Sequence, residues 1–570
     1  MFKAFRFLAG TFTSSDINKY PTTLSKKWAF ISGVIALLVS IPILAVLSSF
    51  FVSSGEIWSH LAETVLSDYI SNSLLLIIGV SAGVVLTGVS LAWIITMCSF
   101  PGQKYFEWAA VLPFSIPAYL LAYIYTDFLG TTGTLQTALR STFELGVNDY
   151  FFPEIRSVWG AILIMILAFY PYVYMLARSA FLNQSVSLFE ASRIMGYNST
   201  QSFFKVALPL ARPGIAAGLA LALMETLNDF GTVQYFGVQT FTTGIYRTWF
   251  GLGERPAAAQ LAGFLLLFII ALILLERWSR SKIKDQTNAT NRFKRIQRFD
   301  LKGLKAFGAF LICSVPVLLG FVLPVIILLS MFFNNLDSVN ARFILYTLNT
   351  LSVAAIAGLI TISVALLMAY SSRLNPSKII KGLNQFGALG YAIPGSVIAV
   401  GVLIPFGWID NTIDSFARSN FDISTGLLLS GTLFAMIFAY VVRFLSVSYN
   451  GINSSLQKIS PNIDEASRGM GYSFSQILSK VHIPILSGGL LSAFLLVFVD
   501  VMKELPATII IRPFNFDTLA IQVYRLASDE RLGESAGAAL AIVLAGIIPV
   551  ILLSKTITKS RKTEKNNLQG

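Results

Sequence analysis

The sequence has little charge. Of its 570 residues only 12% are Asp, Glu, Lys or Arg, against roughly 25% in an average soluble domain. Its two cysteines, Cys98 and Cys313, both fall in apolar stretches, so no disulfide framework is implied. Two histidines, His60 and His482, are too few for a histidine-based metal site. There is no G-x-x-x-x-G-K-S/T pattern and no Gly-Lys dipeptide, so this chain cannot cradle ATP phosphates in a P-loop. No clustered catalytic constellation is present, which argues against a polytopic membrane enzyme.

Apolar sequence fills the chain instead: 55% of the residues are hydrophobic and the mean hydropathy is +0.70. Eleven uncharged runs, from 28–55 to 535–554, are long enough to cross a bilayer. A twelfth, from 213 to about 236, is interrupted only by Glu225 and Asp229. The pattern predicts an all-α polytopic membrane protein with about 12 transmembrane helices. The first run follows a long polar segment and has no small-residue cleavage site, so it is read as a retained helix rather than a signal peptide.

The formal net charge is +13, and its distribution points to topology rather than to nucleic acid. Lys3, Arg6, Lys19, Lys26 and Lys27 precede the first run, and Lys555, Lys559, Arg561, Lys562 and Lys565 follow the last. Ten Lys and Arg against three acidic residues lie between 276 and 305. The positive-inside rule puts all three segments, and so both termini, in the cytoplasm. The expected organisation is an N-terminal cytoplasmic segment (1–27), a first membrane domain (28–277), a basic linker (278–305), a second membrane domain (306–555) and a cytoplasmic tail (556–570).

The two halves repeat each other. EASRIMGYNSTQSFFKVALPLARPG, from Glu190, returns as EASRGMGYSFSQILSKVHIPILSGG from Glu465, with 12 of 26 positions identical over 190–215 at an offset of 275. Asn72-Ser73 pairs with Asn349-Thr350 and Ile116-Pro117 with Ile393-Pro394, at an offset of 277. Six runs per half give both copies one orientation, a parallel repeat about an axis along the membrane normal.

Local chemistry shapes the repeated segment into two short helices. Gly196 and Gly471 suit a helix C′ position. Asn198 with Gln201, and Ser473 with Gln476, have capping-box spacing for a second helix. That helix is expected to stop before Pro209, because the residue preceding a proline disfavours the α region. An amphipathic loop on lipid headgroups explains one such segment; it does not explain the same Glu, Gly, Tyr and Pro twice. The pattern resembles the cytoplasmic EAA loop of ABC importer permeases, with Ser192 and Ser467 where that motif has its second Ala. The resemblance spans roughly 70–275 and 345–555. It implies the type I importer permease fold, with two loops that dock on two copies of a separate ATPase. The positions that match are Glu190, Ala191, Gly196, Leu208 and Pro209, then Glu465, Ala466, Gly471, Ile483 and Pro484. The segments from Glu225 and Met502 resemble fused two-domain ferric-iron permeases of the bacterial inner membrane, which implies a periplasmic iron-binding receptor as the other partner. No cofactor is then expected on this chain; ATP and Mg²⁺ belong to the ATPase.

Glu225 and Asp229 are four residues apart, hence on one helical face, and map at offset 275 to Asp500 and Glu504. Carboxylates inside spans are costly and usually face an interior or cavity. Four of them would suit a hard cation that prefers oxygen ligands, so they are candidates for a translocation pathway, with no metal site assigned. Structural pairing with Lys503, Arg247 or Arg525 is the competing reading. Pro113, Pro117 and Pro394 are expected to bend the third span of each half. Other expectations compatible with the sequence are an ABC permease for thiamine, phosphonate, polyamine, sulfate or molybdate, or an ion-coupled secondary transporter.

Overall fold

The computed structural model describes residues 22–182, 184, 191–192, 194–281, 298–388 and 390–566. Glu190, most of the linker, and most of the N-terminal segment lie outside the described residues, as do the last four residues of the tail. Among the described residues, eleven helices are long and apolar enough to cross a membrane, or twelve if one bent pair counts as a span.

The long helices of the first half are α1 (Thr22–Ser48), α2 (Leu66–Met97), α5 (Val158–Leu182), α6 (Leu208–Asn228) and α9 (Arg255–Ser281). Between α2 and α5 lie α3 (Gln103–Ala109) and α4 (Ala118–Leu129), and after α6 lie α7 (Gly231–Tyr235) and α8 (Phe241–Tyr246). The second half has α10 (Leu304–Asn334), α11 (Ala341–Leu374), α12 (Lys378–Gly387), α13 (Gly395–Phe421) and α14 (Leu433–Gln457). It continues through α15 (Pro461–Gly469), α16 (Ile483–Met502), α17 (Pro506–Ile511), α18 (Leu519–Ser528) and α19 (Leu532–Asn566).

The uncharged runs mark the spans but not their ends. The uncharged run 157–177 continues as helix to Leu182 and the uncharged run 423–442 to Gln457, so Arg178 and Arg443 sit inside helices. Both are buried and both have acidic partners, which is how a guanidinium is tolerated at such a position. The third run is not one straight span. Its segments Gln103–Ser115 and Ala118–Phe143 meet at 89°, because Pro117 is in an extended conformation (ψ 146°) and cannot supply an N–H to the turn. Pro394 has the same conformation (ψ 144°) at the start of α13.

Packing groups the chain into two compact units that cut across its halves. One contains the described residues up to Ile41, with Leu359–Tyr391 and Phe444–Phe494; the other contains Pro42–Gly358, Ala392–Arg443 and the described residues from Leu495 onward. In the larger unit α2 packs along α5, and small residues set the approach: a Cβ at Gly83 would lie 2.1 Å from Ile166 Cδ1, and one at Gly218 on α6 would lie 2.7 Å from Val173 Cα. Apolar lipid gives no drive for helix pairing, so close backbone contact at small residues supplies it. Two residues of linker end, β2 (Phe299–Asp300), pair in parallel with β1 (Cys98–Ser99). Arg298 anchors them, donating to Thr96 O at 3.3 Å and Gln103 Oε1 at 2.9 Å.

Candidate functional site: the repeated hairpins and the interrupted spans

Each repeated segment folds as a helical hairpin, and the two copies share its details. Gly196 and Gly471 have φ of 79° and 85°, a left-handed conformation that suits glycine. Around them the N–H of Tyr197 bonds to Ser192 O (3.0 Å) and that of Tyr472 to Ser467 O (3.2 Å), the six-to-one bond of a Schellman ending. The capping boxes form: Gln201 N–H donates to Asn198 Oδ1 at 2.8 Å and Asn198 N–H to Gln201 Oε1 at 3.1 Å. Ser473 and Gln476 exchange the same pair. Lys205 lies over the Tyr197 ring (4.7 Å) and Lys480 over Tyr472 (5.6 Å), so the shared Tyr and Lys shape the hairpin itself. Ala191, Glu465 and Ala466 are exposed, as are Ile194 (87%), Met195 (62%) and Met470 (69%).

The expected helix stop before Pro209 is not found. Single π-helical turns, Phe203–Ala207 and Leu478–His482, lead directly into α6 and α16. The N–H of Leu208 bonds five residues back to Phe203 O, and that of Ile483 to Leu478 O. This wide turn carries the chain past Pro209 and Pro484, which then sit in the first turn of the next helix where a missing N–H costs little. Such π-turns are rare and concentrate at functional sites.

The span after each hairpin is interrupted. Helix α6 ends at Asn228, and Asp229 is extended (ψ 132°), so Glu225 and Asp229 do not share a helical face. The Asp229 carboxylate instead accepts from the N–H groups of Thr232 (3.0 Å) and Val233 (3.2 Å) and from Thr232 Oγ1 (2.9 Å). A buried carboxylate placed on free N–H groups starts a new helix, and that is why the span breaks here. Glu504 holds the matching place beyond α16, accepting from Ala507 N–H at 2.9 Å. The asparagines of the repeat hold the segments beyond: Asn72 donates to Gln239 O (2.9 Å) and Asn349 to Asp517 O (3.1 Å).

The two breaks meet. A Cβ on Gly231 would lie 2.5 Å from Tyr119 Cβ and 2.9 Å from Leu505 Cδ2, and the Phe230 and Tyr524 rings are 5.8 Å apart. Between them runs a buried polar chain. Arg443 donates to Glu504 Oε1 at 2.8 Å and to Asn228 Oδ1 at 3.3 Å. Asn228 also accepts from Gly395 N–H at 2.7 Å and donates to Glu225 Oε2 at 3.5 Å. Glycine is required at 395, since a Cβ would lie 2.0 Å from Arg443 Nη1. Asp500 pairs with Lys503 at 2.8 Å, as the competing reading expected, while Arg525 pairs with Asp517 at 3.1 Å. Among the described residues, no three His, Cys, Asp or Glu side chains converge on a point that could hold a metal ion.

Sequence reasoning missed Arg443 and Asn228. Arg443 directly follows the uncharged run 423–442, and a lone arginine at the edge of a span is the signal the sequence offers. Asn228, between two acids of interest, gave no signal in the sequence.

Residues 84–285 match the family of binding-protein-dependent transport system inner membrane components. An Fe(3+)-transport system permease protein of Haemophilus influenzae is 26% identical over 86% of this chain and 90% of its own length. A ferric transport system permease protein of Actinobacillus pleuropneumoniae is 23% identical over 77% of this chain and 64% of its own. The molybdenum transport system permease protein of Escherichia coli is 28% identical over 34% of this chain and 83% of its own. The likeness to the Haemophilus Fe(3+) permease runs through both halves, and with the duplicated hairpins and the membrane-crossing helices it leads to one conclusion: the chain is a multi-pass permease subunit, whose residues 84–285 match the binding-protein-dependent transport system inner membrane component family.

Proposed function

We propose that this permease imports ferric iron across the bacterial inner membrane, with two copies of an ATPase docked on its hairpins and a periplasmic receptor delivering the ion. The observation that carries the iron reading is the extent of the likeness to the Haemophilus ferric permease, which covers 86% of this chain; the molybdenum relative covers 34%. Both termini and both hairpins lie in the cytoplasm, and the partner ATPase binds ATP and Mg²⁺.

The four acids then divide their work. Asp229 and Glu504 hold the breaks open to the pathway by capping α7 and α17, while Glu225 and Asp500 supply oxygen ligands to a passing hard cation. Transient contact suits conduction better than a closed cage, because a cargo must leave as readily as it enters. The exposed Ile194, Met195 and Met470 give each hairpin an apolar tip for a groove on the ATPase.

Proteoliposomes holding the permease, its ATPase and its receptor test the reading. Uptake of ⁵⁵Fe that needs both ATP and receptor is the expected result. Molybdate uptake without iron uptake would replace the cargo, and transport by the permease alone under an ion gradient would replace the mechanism. Deleting residues 196–205 should leave a folded chain that no longer retains the ATPase.

A further inference from the structure

The hairpins match in outline but not in what braces them. In the second, Asp464 lies one residue before Glu465 and is buried. Its carboxylate accepts two bonds from Arg373, Nε to Oδ2 at 2.8 Å and Nη2 to Oδ1 at 3.0 Å. It also bonds to His482 Nε2 at 2.7 Å. A carboxylate can only accept here, so Nε2 carries the proton and Nδ1, which has no hydrogen-bond partner, is the bare nitrogen. Arg373 extends the network, donating to Leu456 O at 2.8 Å and to Ile459 O at 3.1 Å. The Tyr370 ring meets the His482 ring edge-on at 5.6 Å, and its hydroxyl donates to Phe474 O at 2.8 Å.

One carboxylate therefore joins the end of α11, the end of α14 through the Arg373 carbonyl contacts, the first helix of the hairpin and the π-turn that leads into α16. At the repeat offsets the corresponding residues of the first half are Phe189 for Asp464, Ala207 for His482 and Thr96 for Arg373; these side chains cannot make an ion pair. Among the described residues of the first hairpin the braces are rings and neutral hydrogen bonds. Trp93, which corresponds to Tyr370, contacts Phe203 at 4.9 Å and Phe181 at 5.6 Å. Gln184 donates to Ala207 O at 2.8 Å, and the Ser192 and Ser202 hydroxyls meet at 3.0 Å. Ring contacts are weakly directional and can slide, whereas a bidentate Arg–carboxylate pair fixes both distance and angle.

We propose that Arg373, Asp464 and His482 form an ionic clasp that makes the second hairpin and the end of α11 move as one body, so that the two hairpins transmit ATPase motion unequally. The clasp makes the second hairpin the stiff lever and leaves the first, whose positions 189, 207 and 96 cannot form the same ionic triad, the more compliant. All three are positioning residues; none touches cargo or nucleotide. The inference rests on reading the hairpins as ATPase-docking elements.

The test uses the full complex of permease, ATPase and iron-loaded receptor in liposomes, reading ATPase retention, ATP hydrolysis and ⁵⁵Fe transported per ATP. His482→Ala, the residue of the first half, and Asp464→Asn should keep the ATPase but transport about tenfold less per ATP, the scale of an ordinary coupling free energy. His482→Gln, whose amide can donate to Asp464 as the imidazole does, should restore transport per ATP. Thermal unfolding separates a folding defect from uncoupling, and if Asp464→Asn does not assemble, the His482 pair decides. Native transport per ATP in His482→Ala, or equal defects in the Ala and Gln variants, would overturn the clasp. Retention of the ATPase by the chain lacking residues 196–205 would overturn the docking reading instead.

Discussion

Replacing Arg443 by glutamine removes the cation from a pair held at 2.8 Å, with side chains only 6% and 4% exposed. The carboxylate of Glu504 would keep one donor, the Ala507 N–H at 2.9 Å, in a place without bulk water. Removing one partner of a buried pair leaves an uncompensated charge and costs about 3–5 kcal/mol. Glu504→Gln removes the anion from beside the buried Arg443 guanidinium and should cost a similar amount. The double variant Arg443→Gln/Glu504→Gln buries two neutral amides, so its loss should fall well below the sum of the singles. Cys98 and Cys313 are both free and buried, so a thiol-reactive fluorophore reports unfolding with no added label. Single losses under about 1 kcal/mol that simply add in the double variant would refute the reasoning, because that is how exposed, uncoupled pairs behave.

Gly395→Ala should destabilise by about 1–3 kcal/mol through overpacking, since its Cβ would lie 2.6 Å from Glu504 Oε1. Gly407→Ala, in the same helix with nothing within 4 Å, should instead be neutral or gain up to about 1 kcal/mol by the same assay. Glu225→Gln with Asp500→Asn should lower ⁵⁵Fe uptake per folded, ATPase-bound permease; unchanged uptake would remove both residues from the pathway. Ser473→Ala should weaken its helix by about 1 kcal/mol and speed hydrogen exchange at residues 474–477, with Ser475→Ala as the comparison.

Much of the hairpin was legible because its signals are local. A glycine at C′, a capping-box pair and a constant offset need no tertiary knowledge, and Gly196, Gly471, Asn198 and Ser473 take the conformations their residue types suggest. Pro209 was misjudged because a π-turn, which shifts bonding by one residue, has no sequence signature in a single chain. The bend expected at Pro117 is present, but its 89° size is a matter of backbone direction, which composition does not record. The acid pair Glu225 and Asp229 followed helical spacing on paper; the competing claim of the Thr232 and Val233 N–H groups on the second carboxylate ended the helix between them.

By itself the sequence determined the membrane-spanning class, the duplication and the hairpins, since each follows from apolar length, repetition at fixed offset or bonding within a few residues. Tertiary structure decided which charges meet. Arg443 and Glu504 are 61 residues apart, and Asn228 and Gly395 are 167 apart. No local pattern records a partner at that distance. Burial forces such groups to find one another, and only the folded chain shows which ones do.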